Sequence, residues 1–412
     1  MAKILPFKAV RPTRDKVSLI ASRPYQSYTK AQRETRMDSN PFSFLHIVNP
    51  GYRYNKETSG GERFRLVRNR YEEFKEEKIF IQDSQASYYL YKIVNREGNE
   101  FTGFIAAASI EDYETDVIRK HEDTIEQRVV VFKDYLKTVG FNAEPVLMTY
   151  SPNETLSKIA RETLGTRSEY EFTTTYRDTH YLWKISDDKT VQQIKTAFSE
   201  IKTCYIADGH HRSSSSQLLA EEMRTQNPEH NGTEAYNYFM GYFIPENELV
   251  IQEFNRVVRD LNNLSKEEFL IALDTCFRIE NRNHEFYKPS KKHHFSMYLD
   301  GEFYSLFLRK TAYPFDTSLS KLDAQILYKT ILEPILGIHD LRNNDRIEYV
   351  AGRKDMAYVK ELIDKKKFAV GFGMLPVTIE EMKQISDDGL KMPPKSTYIE
   401  PKLRNGITIY EF

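Results

Sequence analysis

A short run of polar residues between two apolar stretches carries most of the chemistry in this sequence. In CYIADGHHRSSSSQLLAEEM, residues 204–223, a carboxylate, a glycine, two histidines and an arginine follow one another without interruption. The apolar residues before the run predict a strand, and the residues after it predict a helix that ends near Asn227 and Pro228. The run from Asp208 to Arg212 is therefore expected at a strand-to-helix turn.

A turn of this composition is suited to bind phosphate. The N-terminus of a helix presents N–H groups and the positive end of its dipole to an anion. Gly209 permits close approach of the backbone, Arg212 offers a two-pronged contact, and the hydroxyl of Ser213 adds a donor. We therefore predict that these residues bind phosphate.

The other side chains of the turn can move protons or hold a metal ion. His210 and His211 can act as acid, base or phosphate ligand near neutral pH, and Asp208 can orient one of them or bind a metal. The alternative is that Asp208 and Ser213 only cap the helix while the histidines bind local carbonyls. The uninterrupted series of functional groups favours function. Adjacent histidines lack the i, i+4 spacing of a zinc motif.

A second candidate group lies upstream, in IRKHEDT. Apolar residues at helical spacing predict one long helix from Glu111 to Lys137, which would contain His121 and Glu122. The stretch is not HExxH, because Ile125 occupies the position of the second histidine. Glu122 is either a general base in a partly buried setting or part of a solvated helix face, and spacing alone favours the solvated face.

The segment LKMPPKSTYIEPKLRNG near the C-terminus combines prolines with lysines. Its three prolines stiffen the chain around Lys395, Ser396 and Lys402. A rigid loop with two lysines predicts an anion clamp. The alternative is a surface loop before the terminal strand ITIYEF.

Charged residues of both signs also cluster in GIHDLRNNDRIEYVAGR. They either form an ion-pair network between elements or supply arginines to the same anion, and we favour the network. The residues are Asp340, Arg342, Asp345, Arg346 and Arg353.

The elements that must position these groups are a mixture of strands and helices, which predicts an α+β or α/β fold. Ser265 and Glu268 form a capping-box pattern that opens a helix, and Asp300 and Gly301 are typical hairpin-turn residues. A boundary between 240 and 265 predicts two domains. They are an N-terminal domain, 1–250, that carries the DGHHR run, and a C-terminal domain, 251–412, that carries the MPPKST loop.

Composition limits the class of protein. Lys and Arg number 59 against 60 Asp and Glu, a balance that argues against general attraction to nucleic acid or membrane. Cys204 and Cys276 lack ligand spacing, and no apolar run reaches the ~18 residues of a membrane span. The N-terminus lacks the apolar stretch of a signal peptide. These features predict a cytoplasmic protein, and the usual P-loop, dinucleotide, nucleophile-elbow and kinase motifs do not occur.

Taken together, these motifs resemble the DUF1015 family. The matching stretches run in order along nearly the whole chain: LPFKAVRP, RPY, NPFSFLHI, SIEDY, IRKHEDT, YIADGHHR, FNRVV, LGIHDLRNNDRIEYVAG and MPPKSTYIEPKL. Most members carry an aspartate after the early Pro-Tyr pair, whereas Gln26 follows Tyr25 here. The DGHHR motif is similar to the phosphate loop of the ParB and sulfiredoxin-like fold, which includes free serine kinases.

The resemblance implies an α+β fold, in which a mixed-sheet N-terminal domain carries a ParB/sulfiredoxin-like phosphate loop and a smaller α/β domain follows. It implies a phosphotransferase that forms O-phospho-L-serine from ADP, ATP or pyrophosphate with Mg²⁺. Gly209, His210, His211 and Arg212 would hold the donor phosphates, and Glu122 would accept the proton of the serine hydroxyl. The resemblance also suggests roles for residues nearer the C-terminus. Lys395 and Lys402 would cover the transferring phosphate, and the substrate would be bound by Arg342, Arg346 and Ser396.

Two alternatives remain open from the sequence. The same site could pass phosphate to water, which would make the protein a phosphoserine phosphatase. By analogy with ParB, the protein could instead sense nucleotides or associate with DNA, although the charge balance and the lack of a basic recognition helix argue against DNA.

Overall fold

The computed structural model describes residues 1–352 and 354–412. Arg353, which the sequence placed in the charged cluster, lies outside the described residues. The chain forms two compact units. The first comprises 1–120, 124–249 and 401–412, and the second comprises 121–123 and 250–400. The predicted division into domains 1–250 and 251–412 stays a prediction.

Strands and helices alternate along the first unit. Its strands are β1 (Ile4–Leu5), β2 (Val10–Pro12), β3 (Phe80–Gln82), β4 (Tyr88–Val94), β5 (Glu100–Ser109), β6 (Ile118–Arg119), β7 (Phe141–Asn142), β8 (Val146–Tyr150), β9 (Tyr170–Thr173), β10 (Thr179–Ile185), β11 (Cys204–Asp208) and β12 (Tyr238–Pro245). Its α-helices are α1 (Val17–Ile20), α2 (Lys30–Ser39), α3 (Leu45–Val48), α4 (Gly60–Glu76), α5 (Ile110–Glu114), α6 (Glu126–Val139), α7 (Glu154–Leu164), α8 (Asp188–Ser199) and α9 (His210–Gln226).

A mixed sheet organises this unit, in the order β6-β11-β8-β12-β5-β4-β10-β9, with β1 paired to β5. The pairs β6/β11 and β8/β12 are parallel, and the other pairs are antiparallel. One buried core contains large apolar side chains from the sheet, namely Leu90, Phe104 and Phe243, together with Phe198 of α8. Burial of each contributes roughly 1.5–3 kcal/mol. The predicted mixed α and β architecture is confirmed.

The second unit is built on another sheet. Its elements are β13 (Val250–Gln252), β14 (Phe254–Val258), α10 (Lys266–Asp274), β15 (Phe277–Asn283), β16 (His294–Leu299), β17 (Glu302–Leu308), α11 (Asp323–Leu327), β18 (Ile347–Ala351), α12 (Met356–Asp364), β19 (Val370–Gly373), α13 (Ile379–Asp387) and β20 (Tyr398–Glu400). Six strands pair antiparallel in the order β15-β17-β16-β19-β14-β18. The chain then returns to the first unit, where β21 (Tyr410–Glu411) pairs with β7.

Several local predictions are confirmed. Ser265 and Glu268 form both bonds of a capping box at α10. Asp300 and Gly301, with φ of 47° and 83°, connect the β16–β17 hairpin. The helix after the DGHHR run ends at Gln226, with Asn227 as its C-cap. None of the helices within the described ranges is long and apolar enough to cross a membrane.

The predicted long helix from Glu111 to Lys137 is wrong. Two helices, α5 and α6, flank the short strand β6, where Ile118 pairs with Cys204 of β11 and is fully buried. Asp116 adopts a left-handed φ of 58°, which ends the helical path. Apolar residues that would suit one face of a helix lie instead in the edge strand β6. Glu122 therefore lies in the segment between β6 and α6 and not in a helix.

Candidate functional site

The turn Asp208–Arg212 lies where β11 ends and α9 begins, as predicted. Residues 204–207 of β11 are buried, since β6 and β8 flank the strand and the residues on both of its faces are covered. Gly209 is the N-cap of α9 and has a φ of 110°. This left-handed conformation favours glycine, because a side chain there would strain the backbone.

Gly209 also makes room for Arg212. A Cβ atom on Gly209 would lie 3.1 Å from the Cζ, Nε and Nη2 atoms of Arg212, so the guanidinium folds back against the turn. The Nη1 atom of Arg212 donates to the carbonyl of Pro145 and lies 3.2 Å from Oε1 of Glu144. The segment that enters β8 therefore holds the arginine at the head of α9.

An ion pair completes the electrostatics of the turn. The Nζ atom of Lys402 donates to Oδ2 of Asp208 at 3.0 Å, and both side chains are half-exposed. Burial of the surroundings acts to raise the pKa of Asp208, but the charges of Lys402 and Arg212 outweigh it and hold the pKa well below its ordinary value. Asp208 is thus a carboxylate at neutral pH.

The two histidines occupy different environments. The Nε2 atom of His211 accepts a hydrogen bond from the backbone N–H of Ile125 at 3.1 Å, so the proton of the neutral ring resides on Nδ1. His210 is buried, with only 5% of its surface exposed. The orientation of His211 is therefore set by the start of α6, and Nδ1 is the ring atom that can donate to an anion.

The serines of the run bond within their own helix. The hydroxyl of Ser213 is buried and donates to the carbonyl of His210 at 3.0 Å, and that of Ser215 donates to His211 at 2.8 Å. Ser214 shares a hydrogen bond of 2.8 Å with Tyr113. The hydroxyl of Ser213 therefore stabilises the first turn of α9 in this arrangement.

The other predicted site residues belong to the second unit. Glu122 lies in the segment 121–123, which clusters with that unit, and the carbonyl of His121 accepts a bond from the N–H of Met392 at 2.8 Å. The Nζ atom of Lys395 lies 5.9 Å from the ring of Phe254. Lys395 and Lys402, which the sequence placed in one clamp, thus belong to different units.

The predicted substrate residues of the second unit are held by local contacts. Arg346 binds Asp260 through both Nε, at 2.9 Å, and Nη2. The Nη2 atom of Arg342 lies 3.8 Å from Oδ2 of Asp123. The hydroxyl of Ser396 is buried and donates to the carbonyl of Pro393 at 2.7 Å. For Arg346 and Arg342 these contacts correspond to the ion-pair alternative, while their role in substrate binding stays a prediction.

Sequence reasoning missed three partners of the turn. Glu144 and the carbonyl of Pro145 hold Arg212, and the N–H of Ile125 orients His211. Two of these contacts use backbone atoms, which any residue supplies, so the sequence held no signal for them. Glu144 lies two residues before β8, which pairs with β11, and that pairing is visible only in the fold.

The residues of the turn are suited to bind Mg²⁺ only when the ion is also bound to phosphate groups. Within the described ranges there is no group of three or more His, Cys, Asp or Glu side chains arranged to hold a metal. Mg²⁺ bound to a nucleotide or pyrophosphate needs only one or two carboxylates, because phosphate oxygens and water complete its shell. Asp208, as a carboxylate at the turn, meets that requirement.

Comparison with solved structures returns distant likenesses. A free serine kinase in complex with AMP is 11% identical, with 74% of this chain and 91% of that chain covered and a TM-score of 0.37. SbnI with a C-terminal truncation, from Staphylococcus aureus, is 12% identical, with 74% and 85% covered and a TM-score of 0.38. A conserved hypothetical protein from Pyrococcus furiosus is 12% identical, with 74% and 94% covered and a TM-score of 0.36. At these TM-scores the likeness carries no argument about function.

Comparison by sequence gives a clearer result. The search of curated proteins found no match. A family model described as a protein of unknown function, DUF1015, matches residues 4–325, which is more than half of the 412 residues. The chain therefore belongs to the DUF1015 family.

Proposed function

We propose that the protein is a phosphotransferase that acts on free L-serine or a related hydroxy amino acid. It forms O-phosphoserine from ADP, ATP or pyrophosphate, and the turn Asp208–Arg212 holds the donor phosphates. The observation that carries the proposal is the left-handed Gly209 at the head of α9, with the guanidinium of Arg212 folded against it. Backbone N–H groups and a planar cation are thereby presented together.

The turn suits a phosphate for physical reasons. The first turn of α9 directs N–H groups and the positive end of the helix dipole away from the helix, where an anion is stabilised. Without a Cβ atom at Gly209, a phosphate oxygen can approach the backbone closely. Arg212 can exchange its contact with Glu144 for a charge-assisted bond to phosphate.

The flanking side chains have roles that follow from their contacts. With Nε2 bound to the N–H of Ile125, His211 can donate from Nδ1 to a phosphate oxygen as negative charge accumulates there. Asp208 is a poor general base, because its pKa is held low. It instead positions Lys402, whose ammonium can neutralise charge on the transferring group.

Phosphoryl transfer depends mainly on positioning and charge neutralisation. Mg²⁺, held by Asp208 and by the donor, would screen the charge of the phosphates. The serine hydroxyl must lose its proton as the new O–P bond forms, and the prediction that Glu122 accepts this proton remains to be tested. A positioned carboxylate base contributes roughly 10²- to 10⁴-fold to such a step.

Detection of the product by mass spectrometry tests the proposal. Purified protein is incubated with L-serine, Mg²⁺ and ADP, ATP or pyrophosphate in turn, beside a His211→Ala variant. We expect phosphoserine with at least one donor and its loss in the variant. Phosphate release from phosphoserine without transfer from any donor would favour the phosphatase instead. Absence of both products would overturn phosphotransfer.

A further inference from the structure

Three arginines surround one tyrosine ring in the first unit. The guanidinium carbons of Arg23, Arg36 and Arg404 lie 4.8, 5.2 and 5.5 Å from the ring centroid of Tyr176. Arg404 is buried, whereas Arg23, Arg36 and Tyr176 are partly exposed. We call these four residues the arginine–tyrosine cluster. Guanidinium groups stack well on aromatic faces, so the ring gathers cations that would otherwise repel each other.

The positive charge of the cluster is only partly balanced. Arg404 binds Asp178 at 2.8 Å. Neither Arg23 nor Arg36 is paired with a carboxylate among the residues that the structure describes, and Arg36 instead donates to the hydroxyl of Thr175 at 3.1 Å. Three guanidinium groups against one carboxylate leave two positive charges. An anion in this place would gain from the field that they create.

The pKa of Tyr176 reflects this field. Burial acts to raise the pKa of Tyr176, but interactions with Arg23 and Arg36 outweigh it and lower the pKa below its ordinary value. Burial, with a further contribution from Arg404, lowers the pKa of His180 to about 3, so the imidazole is neutral. The lowered pKa of Tyr176 is the shift expected beside unbalanced cations, whereas that of His180 comes mainly from burial.

Buried polar atoms beside the cluster lack partners. The Nε atom of Arg404 is buried and has no hydrogen-bond acceptor within the described part of the chain, although its Nη2 binds Asp178. Oγ of Ser22 and Oδ1 of Asn405 are also buried without a hydrogen-bond partner in the described part of the chain. The backbone N–H of Asn405 donates to the carbonyl of Ser22 at 2.8 Å. Buried polar groups in folded proteins are almost always satisfied, so a bound molecule or water must supply these partners.

The cluster lies close to the turn along the chain. Lys402, whose side chain binds Asp208, precedes Arg404 by two residues. The Cα atoms of Lys402 and Arg404 are therefore at most about 7.6 Å apart. The two groups nevertheless use separate side chains. Arg23 and Arg36 come from the start of the chain, around α2, and stack on tyrosine rings rather than on residues of the turn.

We propose that the arginine–tyrosine cluster is a binding site for a phosphate dianion carried by a small molecule. The two unbalanced charges match a dianion better than a carboxylate, and three planar donors can surround a tetrahedral anion. This inference does not rest on the proposed phosphotransfer. A free phosphate, the end of a pyrophosphate and the phosphate of phosphoserine share the required chemistry.

Calorimetric titration distinguishes these sources. The full-length protein is titrated with inorganic phosphate, pyrophosphate and phosphoserine, and with L-serine as the carboxylate control. The variants are Arg23→Gln/Arg36→Gln and a matched control, Arg33→Gln, which removes an arginine of α2 that stacks on Tyr25 instead of Tyr176. We expect the double variant to bind the phosphate-bearing ligands about tenfold more weakly or worse, and the control to bind them normally.

Arg212→Gln separates this site from the turn. We expect it to retain the binding that the double variant loses. Equal affinity in the wild type and the double variant would overturn the inference, as would no phosphate binding by the wild type or an equal loss in Arg33→Gln. A loss confined to Arg212→Gln would assign phosphate to the turn alone, and would therefore contradict a site at the cluster while supporting the proposed function.

Absorbance gives a second readout that is independent of affinity. The phenolate titration of Tyr176 is obtained as the difference between the wild type and Tyr176→Phe, with and without pyrophosphate. An anion on the arginines should raise the pKa of Tyr176, because it neutralises the charges that stabilise the phenolate. An unchanged titration at saturating pyrophosphate would contradict the inference.

Discussion

The turn Asp208–Arg212 and the arginine–tyrosine cluster both gather cations in the first unit, but the chain builds them in opposite ways. The turn takes its groups from five consecutive residues and orients them with backbone geometry, through the left-handed Gly209. The cluster takes its arginines from positions 23, 36 and 404 and orients them on the ring of Tyr176. The first kind of arrangement is visible in a sequence, and the second only in a fold.

The two regions also differ in how their charge is balanced. At the turn, Asp208 pairs with Lys402 and Glu144 with Arg212, so each cation has a carboxylate. In the cluster, Asp178 is the carboxylate that pairs with Arg404, and Arg23 and Arg36 have none among the described residues. The proposed anion binding at the turn would therefore rely on the N-terminus of α9 and on exchange of ion-pair partners, whereas the proposed binding at the cluster would rely on excess positive charge.

The largest effect is expected from Arg404→Gln, which breaks the cluster at its buried member. Loss of one partner from a buried ion pair leaves Asp178 uncompensated and should cost about 3 kcal/mol of unfolding free energy. Urea denaturation measures this cost. Arg177→Gln, at a neighbouring exposed residue, is the control and should stay within about 0.5 kcal/mol of the wild type. Equal stability of the two variants would contradict the structural role of Arg404.

Arg212→Gln should affect catalysis at the turn more than stability. If Arg212 stabilises the transferring phosphate, kcat/KM for phosphoserine formation should fall about 100-fold. Arg224→Gln is a matched control at the other end of α9, where Arg224 binds Glu114 at 2.9 Å, and should retain activity. Steady-state kinetics on both variants decides the matter. A similar decrease in both would show that the turn has no special role.

Gly209→Ala separates backbone strain from crowding. A non-glycine residue at φ of 110° should cost about 1–2 kcal/mol, and its Cβ atom would also press on Arg212. Gly98→Ala is the matched control, because Gly98 has a φ of 85° and a Cβ atom added there would meet nothing within 4 Å. Both variants should lose stability in urea, but only Gly209→Ala should lose activity. Full activity of Gly209→Ala would contradict the assigned geometry.

The smallest effect concerns the pH dependence of the Asp208–Lys402 pair. Because the pKa of Asp208 is lower in the folded than in the unfolded chain, the pair stabilises the fold above about pH 4, and this contribution is lost as the pH falls through the folded pKa. Both side chains are half-exposed, so the contribution should be below about 1 kcal/mol. Urea midpoints from pH 7 to pH 3 should decrease less in Asp208→Asn than in the wild type.

Lys402→Gln provides the complementary control for this pair. It should reduce stability at pH 7 by an amount similar to Asp208→Asn, and the double variant should show little further loss. Midpoints of Asp208→Asn that run parallel to those of the wild type at every pH would show that the ion pair contributes nothing.

Sequence alone predicted the turn because its signals are local. A buried strand, a glycine and a helix with a clear end fix the positions of Asp208 to Arg212 without knowledge of the rest of the fold. The prediction of a helix over 111–137 failed because it used only local signals. Its apolar spacing was real, but the pairing of β6 with β11 depends on residues some 85 positions away and overrides local preference.

The other contacts that the sequence did not predict join residues that are far apart along the chain. Nothing near Arg346 in the sequence indicates Asp260, and nothing near Lys402 indicates Asp208. Lys395 and Lys402 lie seven residues apart, yet the chain passes from one unit to the other between them. The arginine–tyrosine cluster is the clearest case, because more than 360 residues separate Arg36 from Arg404.

Phosphorus NMR is the decisive measurement for phosphotransfer at the turn. The wild type, Arg212→Gln and Arg224→Gln are each incubated with L-serine, Mg²⁺ and every donor in turn. We expect a phosphoserine signal in the wild type and in Arg224→Gln that is lost or strongly reduced in Arg212→Gln. No phosphoserine with any donor, or equal amounts from Arg212→Gln and the wild type, would contradict phosphotransfer at this turn.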